Sequence, residues 1–319
     1  MWIAAAAAPA ESARWSMVLD PSQPFTHAQA VAAGVSWRAL TGRRYQRLLR
    51  GIYVSAGVTV TAQVRARAAL LAMGGIGAIC SVSAAELREL PVPVSENVHM
   101  LVPPEHPRSR RPGIVTHRGT RKLSSHLGIP LTTMRETFLD VATDYPLVDA
   151  VALGDAMVIR GYATSSELVD VAAASTRRGV QRARRAAALV RPRVDSPRET
   201  RLRLLMLFNG LPEPVTGHAV AAAGRPRYLD TAYPEWHVAV EYDGRHHKED
   251  QQWSDDIVRR EELGEVWDIV TVTGRHMWNP DALLARIRAT LERAGARLPP
   301  PRQDWRAHFP QARPLHEER

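Results

Sequence analysis

The chain has 319 residues, 45% of them hydrophobic and 6% aromatic, an ordinary globular mixture long enough for two or three compact units. A single cysteine, Cys80, excludes an internal disulfide framework and a cysteine-based zinc site, and points to a cytoplasmic protein. Formal net charge is +9, and since Lys122 and Lys248 are the only lysines, 42 − 2 = 40 of the cations are arginine; that balance favours a polyanionic partner, nucleic acid first.

Residues 1–20 read as disordered: MWIAAAAAPAESARW lacks the basic start of a secretory signal, and Met17 is an alternative start. In PFTHAQAVAAGVSWRALTGRRYQRLLRGIYV (24–54), Thr26 can cap a short helix with Ala30 and Val31 facing inward. Gly34 then supplies a turn, Ser36 caps a second helix through Leu40, and Leu48–Val54 reads as a strand or small wing. Helix, Gly turn, helix and basic strand is the layout of a winged helix-turn-helix over 21–58. In that layout Trp37, Arg38, Thr41 and Arg43 lie on or beside the recognition helix, with Arg44, Arg47 and Arg50 near phosphates. The bland alternative is a helical cap with a solvated arginine face.

Ala68–Ala85 carries no charge over 18 residues, the bare minimum for a spanning helix. Gly74, Gly75 and Gly77 break it, so helix, turn and second buried element is the expectation, with no membrane. Glu136 and Asp140 lie four apart on an amphipathic helix among Phe138, Leu139 and Val141, where packing explains them. From Tyr145 to Val194 the pattern is helical, with Ser165 as a cap and Arg177, Arg178, Arg182, Arg184 and Arg185 on either a phosphate path or a solvated face. RPRVDSP (191–197) reads as the linker, leaving a mixed α/β and helical region over 59–194.

The helix from Ser196 has a clear start: Ser196 as N-cap, Pro197 in the first turn, and Glu199 completing a capping box. RYLDTAYPEWHVAVEYDG (227–244) reads as strand, Pro turn, strand; alternation sends Val238, Val240 and Tyr242 to one face and Ala239, Glu241 and Asp243 to the other. A helix over 249–263, the strand VWDIVTVT and a helix capped by Asn279 complete an α-β-β-α-β-α order over 195–297, followed by a Pro/Arg-rich tail, 298–319. Asp230 and Glu241, on neighbouring antiparallel strands, can meet at one point. Two carboxylates on a buried sheet repel each other, so a hard cation such as Mg²⁺ is a sensible partner.

Two resemblances sharpen this reading. GVS (34–36) and RGIY (50–53), continued loosely by SVSAAEL, HMLVPPEHPR and IPLTTMRETFLDVA, resemble the front half of AbiEi-type antitoxins. That likeness implies a DNA-binding front half, and a protein partner if the chain acts as those antitoxins do. Glu199, LDTAYPE, VAVEYDGRHH and DIVRREEL resemble the PD-(D/E)XK nuclease superfamily, in the branch similar to very-short-patch repair endonucleases, over about 196–296. The resemblance implies a restriction-endonuclease-like α/β domain in which Asp230 and Glu241 hold Mg²⁺ or Mn²⁺ and Glu199 supports the ion through water. His246 or His247 would act at the scissile phosphate, while Asp256 and Arg259 would order the flanking helix and touch phosphate. Where the superfamily carries lysine, two residues after the Glu, this chain has Asp243, a further candidate ligand that cannot supply the lysine's charge. The expectation is a multidomain α/β (α+β), DNA-binding, metal-dependent endonuclease, with a homodimer compatible. The rival is a non-catalytic regulator or antitoxin-like protein with a degenerate nuclease-like domain.

Overall fold

A computed structural model of the chain describes residues 19–222, 225–243 and 266–309. The expected disorder of 1–18, the helix over 249–263, and His246, His247, Lys248, Asp256 and Arg259 lie outside the described residues. The chain packs as two units, one up to Val141 and one from Ala142. Both are mixed α/β, with three sheets among the described residues.

The first unit opens with β1 (Phe25–Thr26), α1 (His27–Ala32), α2 (Trp37–Leu40), β2 (Tyr45–Leu49) and β3 (Ile52–Ser55), the strands forming an antiparallel sheet in the order β1-β3-β2. Local chemistry sets each boundary. Thr26 and Gln29 form a reciprocal capping box at α1, and the Ser36 hydroxyl accepts from the Ala39 amide at 3.2 Å to start α2. Gly34 turns the chain between the helices at φ +75°, a conformation that costs other residues strain. Ala30 is buried against Phe25, Leu40 and Tyr53, but Val31 is 57% exposed, against the expectation that both face inward. Consecutive helical residues are rotated by about 100°, so a one-turn contact buries one of them. Leu48–Val54, expected as a strand or small wing, is the tip of a hairpin: β2 ends at Leu49, the chain turns at Arg50-Gly51, and β3 begins at Ile52.

The rest of this unit holds α3 (Ala62–Ala72), β4 (Ala78–Ile79), α4 (Ser81–Glu86), β5 (Val98–Val102), β6 (Ile114–Arg118), β7 (Leu123–His126) and β8 (Ile129–Thr132). The helix α5 (Met134–Asp144) follows. The sheet runs β6-β5-β4-β8-β7, parallel at β5–β6 and β4–β8. The uncharged stretch Ala68–Ala85 is therefore a helix end, glycine turn, short strand and second helix, as expected, with Cys80 fully buried. No helix among the described residues is long and apolar enough to cross a membrane.

The second unit comprises α6 (Leu147–Ile159), α7 (Ser165–Ala174), α8 (Val180–Leu189), α9 (Pro197–Phe208), β9 (Val215–Ala222), β10 (Arg225–Tyr233), β11 (Val238–Tyr242), β12 (Asp268–Val272), α10 (Pro280–Arg293) and α11 (Trp305–His308). Its sheet runs β12-β11-β10-β9, antiparallel except for the parallel pair β11–β12. α9 and α10 cover one face through Leu202, Leu205, Met206, Leu283 and Ile287, which pack on Val238, Val240, Val270 and Val272. Ala239 faces the other way, with Leu229, Ala232 and Trp267, so the alternation expected along β11 is present.

Several local expectations shift. The cap of α7 is Thr164, not Ser165, in a capping box with Glu167. Arg182 donates to the carbonyls of Thr143 and Tyr145, and Arg184 to those of Ala172, Ala173 and Ser175. These arginines terminate neighbouring helices, whose last carbonyls lack intrahelical donors. The helices before the 191–197 linker belong with α9. Asp155 of α6 accepts from Arg203 at 2.8 Å, from Thr200 at 2.8 Å and from the Arg191 amide at 2.7 Å. Beyond α10 the chain returns to the core: the Arg302 amide donates to the Asn209 carbonyl at 2.8 Å, and Trp305 is 4% exposed. Residues 298–309 are thus packed structure rather than tail.

Candidate functional site

The site forms where β10 and β11 part. Their pairing runs Tyr233–Val238, Ala232–Ala239, Thr231–Val240 and stops there. Asp230 and Glu241 are the next residue on each strand, so both stand at the fork. The amide of Tyr242 donates to the Asp230 carboxylate at 2.9 Å, tying the two strands together beyond their last backbone pair. Thr231 tightens the last rung by donating its hydroxyl to the Val240 carbonyl at 2.6 Å. On its other edge β11 stays parallel to β12, with Glu241 opposite Thr271 and the Asp243 amide on the Val272 carbonyl at 2.6 Å. The carboxylate-bearing end of β11 is therefore fixed from both sides.

The first turn of α9 faces this fork. Ser196 caps it as expected, accepting from the Glu199 amide at 3.2 Å. The return half of the capping box differs: the Glu199 carboxylate accepts from the Asp195 amide at 2.9 Å and the Ser196 hydroxyl at 2.8 Å, not from the Ser196 amide. Burial, and next the charge of Asp230, raise the Glu199 carboxyl to about 7, outweighing those two hydrogen bonds. Glu199 is thus desolvated beside the charge of Asp230. One residue before, the Arg198 guanidinium lies 5.7 Å from the centre of the Tyr242 ring. The sequence reading placed Tyr242 on a face of β11 but gave neither it nor Arg198 a part in the site, because their contact appears only once α9 is packed on the sheet.

Hard carboxylate oxygens at a strand fork suit Mg²⁺ or Mn²⁺, and Asp230, Glu241 and Glu199 are the residues that could hold it. Among the described residues, no set of three or more His, Cys, Asp or Glu side chains is already gathered into a metal-holding group. Asp243 continues the Glu241 face and is half-buried. His246, His247 and Arg259, expected to complete the site, lie outside the described residues.

In the first unit, Trp37, Arg38, Arg43, Arg44 and Arg50 are all exposed. Trp37, at 62%, stands edge-on to His27 with 5.5 Å between ring centres. The second helix is a single turn, ended by Thr41, whose hydroxyl donates to the Trp37 carbonyl at 3.0 Å. Deeper in this unit, His99 and His117 stack with 5.1 Å between ring centres, and His99 Nδ1 lies 3.0 Å from His117 Nε2.

No family model matches the chain. It is similar to uncharacterized proteins of two Mycobacterium tuberculosis strains, CDC 1551 / Oshkosh and H37Rv, each 29% identical over 227 residues that cover 70% of this chain and 84% of the relative.

Proposed function

We propose that the protein is a DNA-binding, metal-dependent endonuclease: the second unit hydrolyses phosphodiester bonds, and a winged-helix-like module in the first unit engages DNA. The observation that carries the reading is the fork, where Asp230 and Glu241 end their pairing side by side and Glu199 closes on Asp230 from α9. A helix laid on a mixed sheet, with acids where two strands part, is also the arrangement that a restriction-endonuclease-like domain requires.

In this reading Asp230 and Glu241 would hold Mg²⁺ or Mn²⁺, which when bound would supply neutralisation of charge on the phosphate and a lowered pKa for an attacking water. Asp230 keeps its orientation through the Tyr242 amide, so its carboxylate does not swing away when substrate arrives. Glu199, with its ionisation near 7, can hold or release a proton at its carboxylate across the neutral range. Asp243 stands where a lysine's charge would be, and Arg198, over the Tyr242 ring, brings a cation to this end of β11 from the α9 side. The exposed set Trp37, Arg38, Arg43, Arg44 and Arg50 supplies a cationic surface for phosphate contact.

A second reading is favoured by Asp243 alone: a regulator or antitoxin-like protein that keeps the nuclease shape for binding. Nicking of supercoiled plasmid with Mg²⁺ or Mn²⁺ separates the two. The endonuclease reading requires metal-dependent nicking that falls at least a hundredfold, on the order of what loss of a metal ligand costs, in both Asp230→Asn and Glu241→Gln. DNA binding without any nicking supports the regulator. Equal nicking in all three proteins removes the assigned site.

A further inference from the structure

The turn that follows β12 presents a tryptophan where a folded chain would ordinarily hide one. Trp278 is 85% exposed, against 8% for Trp267 and 4% for Trp305 in the same unit. Burying a tryptophan is ordinarily favourable, and the backbone that carries this one into water is held rigidly. The His276 amide donates to the Thr273 carbonyl at 3.0 Å, the Met277 amide to Gly274 at 3.1 Å, and the Trp278 amide to Arg275 at 3.2 Å. His276 Nδ1 accepts from the Thr273 amide at 3.0 Å, Met277 packs into the core beside α9 and α10, and Asn279 caps α10 through the Ala282 amide at 3.3 Å. The ring is thus carried outward on a platform whose ordering is complete before any ligand arrives.

The platform stands at the same end of the sheet as the acidic fork. β11 and β12 are parallel, so their C-terminal ends are neighbours, with Asp243 hydrogen-bonded to Val272 one residue before the turn begins. Across that gap, a Cβ placed on Gly274 would lie 3.5 Å from the Tyr242 hydroxyl. Near Trp278 in the chain, Arg275, Asn279 and Asp281 are exposed with it, and the one exposed apolar neighbour is the small Ala282. A protein-docking hot spot is ringed by side chains that exclude water. A lone aromatic beside an arginine, in a chain of net charge +9, instead matches a base-stacking site that also meets backbone phosphate.

We propose that Trp278 and Arg275 form a nucleobase platform at the mouth of the acidic site, stacking an unpaired base of single-stranded nucleic acid while Arg275 meets its phosphate. This rests on the nucleic-acid reading of the second unit and adds the substrate class: strands with unpaired bases next to the fork. A base inside an intact duplex offers no free face to the ring, so the platform discriminates against fully paired DNA.

The test is fluorescence anisotropy of the full chain with a labelled oligothymidylate and with a labelled duplex, in chelator so that hydrolysis plays no part. Trp278→Ala weakens oligothymidylate binding about tenfold or more, Trp278→Phe retains most of the affinity, and duplex binding is unchanged in both. Because the side chain is 85% exposed, neither variant removes core, and an unchanged melting curve verifies this. The proposal is overturned if the wild type does not bind oligothymidylate, if Trp278→Ala binds it as well as the wild type, or if both ligands weaken equally. It is also overturned if the substitution turns a dimer into a monomer. Failure of plasmid nicking bears on hydrolysis alone, since the binding assay contains no divalent ion.

Discussion

Two groups beside Asp230 make opposite demands on it: the Tyr242 amide needs an acceptor, and Glu199 would be relieved by the loss of a charge. Asparagine satisfies both and alanine only the second. We therefore expect Asp230→Asn to keep or raise the unfolding midpoint of the metal-free protein. Asp230→Ala should lower stability by about 1–3 kcal/mol through the unpaired amide. Equal stability of the two variants in urea unfolding would mean that the amide finds another acceptor. His99 gives the first unit a pH dependence of definite sign. Burial above all, then the charges of His117 and Arg65, depress it from 6.5 to about 4. A depressed histidine contributes stability that is present above its unfolded value and is lost as pH falls through its folded one. The first unit should accordingly lose roughly 2–3 kcal/mol between pH 6.5 and 4. His99→Gln should flatten that slope, and His117→Asn should flatten it only in part, because burial, the larger cause, remains. An unchanged slope in His99→Gln would remove this account.

The helices of the second unit are tied together by a charge that the sequence hides. Arg203 sits in the middle of α9 and is fully buried, its Nη2 on Asp155 at 2.8 Å and on the Leu189 carbonyl at 3.0 Å. Burial pushes the Asp155 carboxyl up, against the Arg203 charge and the hydrogen bonds that hold it down. Removing one member of such a pair leaves the other uncompensated, so Asp155→Ala should cost about 3–5 kcal/mol in denaturant unfolding. Adding Arg203→Met to Asp155→Leu should recover the larger part, leaving the Arg191 amide and Thr200 hydroxyl to find water. A double variant as unstable as Asp155→Ala would show that the cost lies in packing instead. At this scale the caps were legible: Ser36, Ser196 and Asn279 each accept from the amide expected of an N-cap. Thr164 was missed by one residue because Thr-Ser-Ser offers several equivalent hydroxyls. The strand β9, VTGHAVAA, was missed because its small side chains give no alternation of bulk, and only pairing with β10 defines it. Arg203 was unreadable for a related reason, since an arginine between leucines reads as the solvent face until its partner on α6 is known.

At the scale of the whole molecule, the sequence conveys a mixed α/β chain with its acids gathered on one strand end, and the folded chain is mixed α/β in both units. The alternation along β11 was readable because Val238, Ala239 and Val240 differ in what they pack against. The fork was not readable, because strand separation after Thr231 is set by tertiary packing and leaves no local mark. Trp278 was not readable either: exposure of an aromatic is a property of the finished surface. The charge excess, by contrast, is a property of composition and bears on partners rather than on fold. Its arginines include some that close helix ends, such as Arg182 and Arg184, some paired with acids, such as Arg203, and some left exposed around Trp37.

The account stands or falls on whether the fork takes a divalent ion. Titration of the metal-free chain with Mn²⁺, followed by calorimetry, tests this without requiring turnover. The account predicts saturable uptake that Asp230→Asn and Glu241→Gln each weaken by about tenfold or more, while Asp149→Asn, which alters a salt bridge to Arg201 and none of the carboxylates assigned to the ion, leaves it unchanged. Absence of saturable uptake, or uptake indifferent to Asp230 and Glu241, would contradict it.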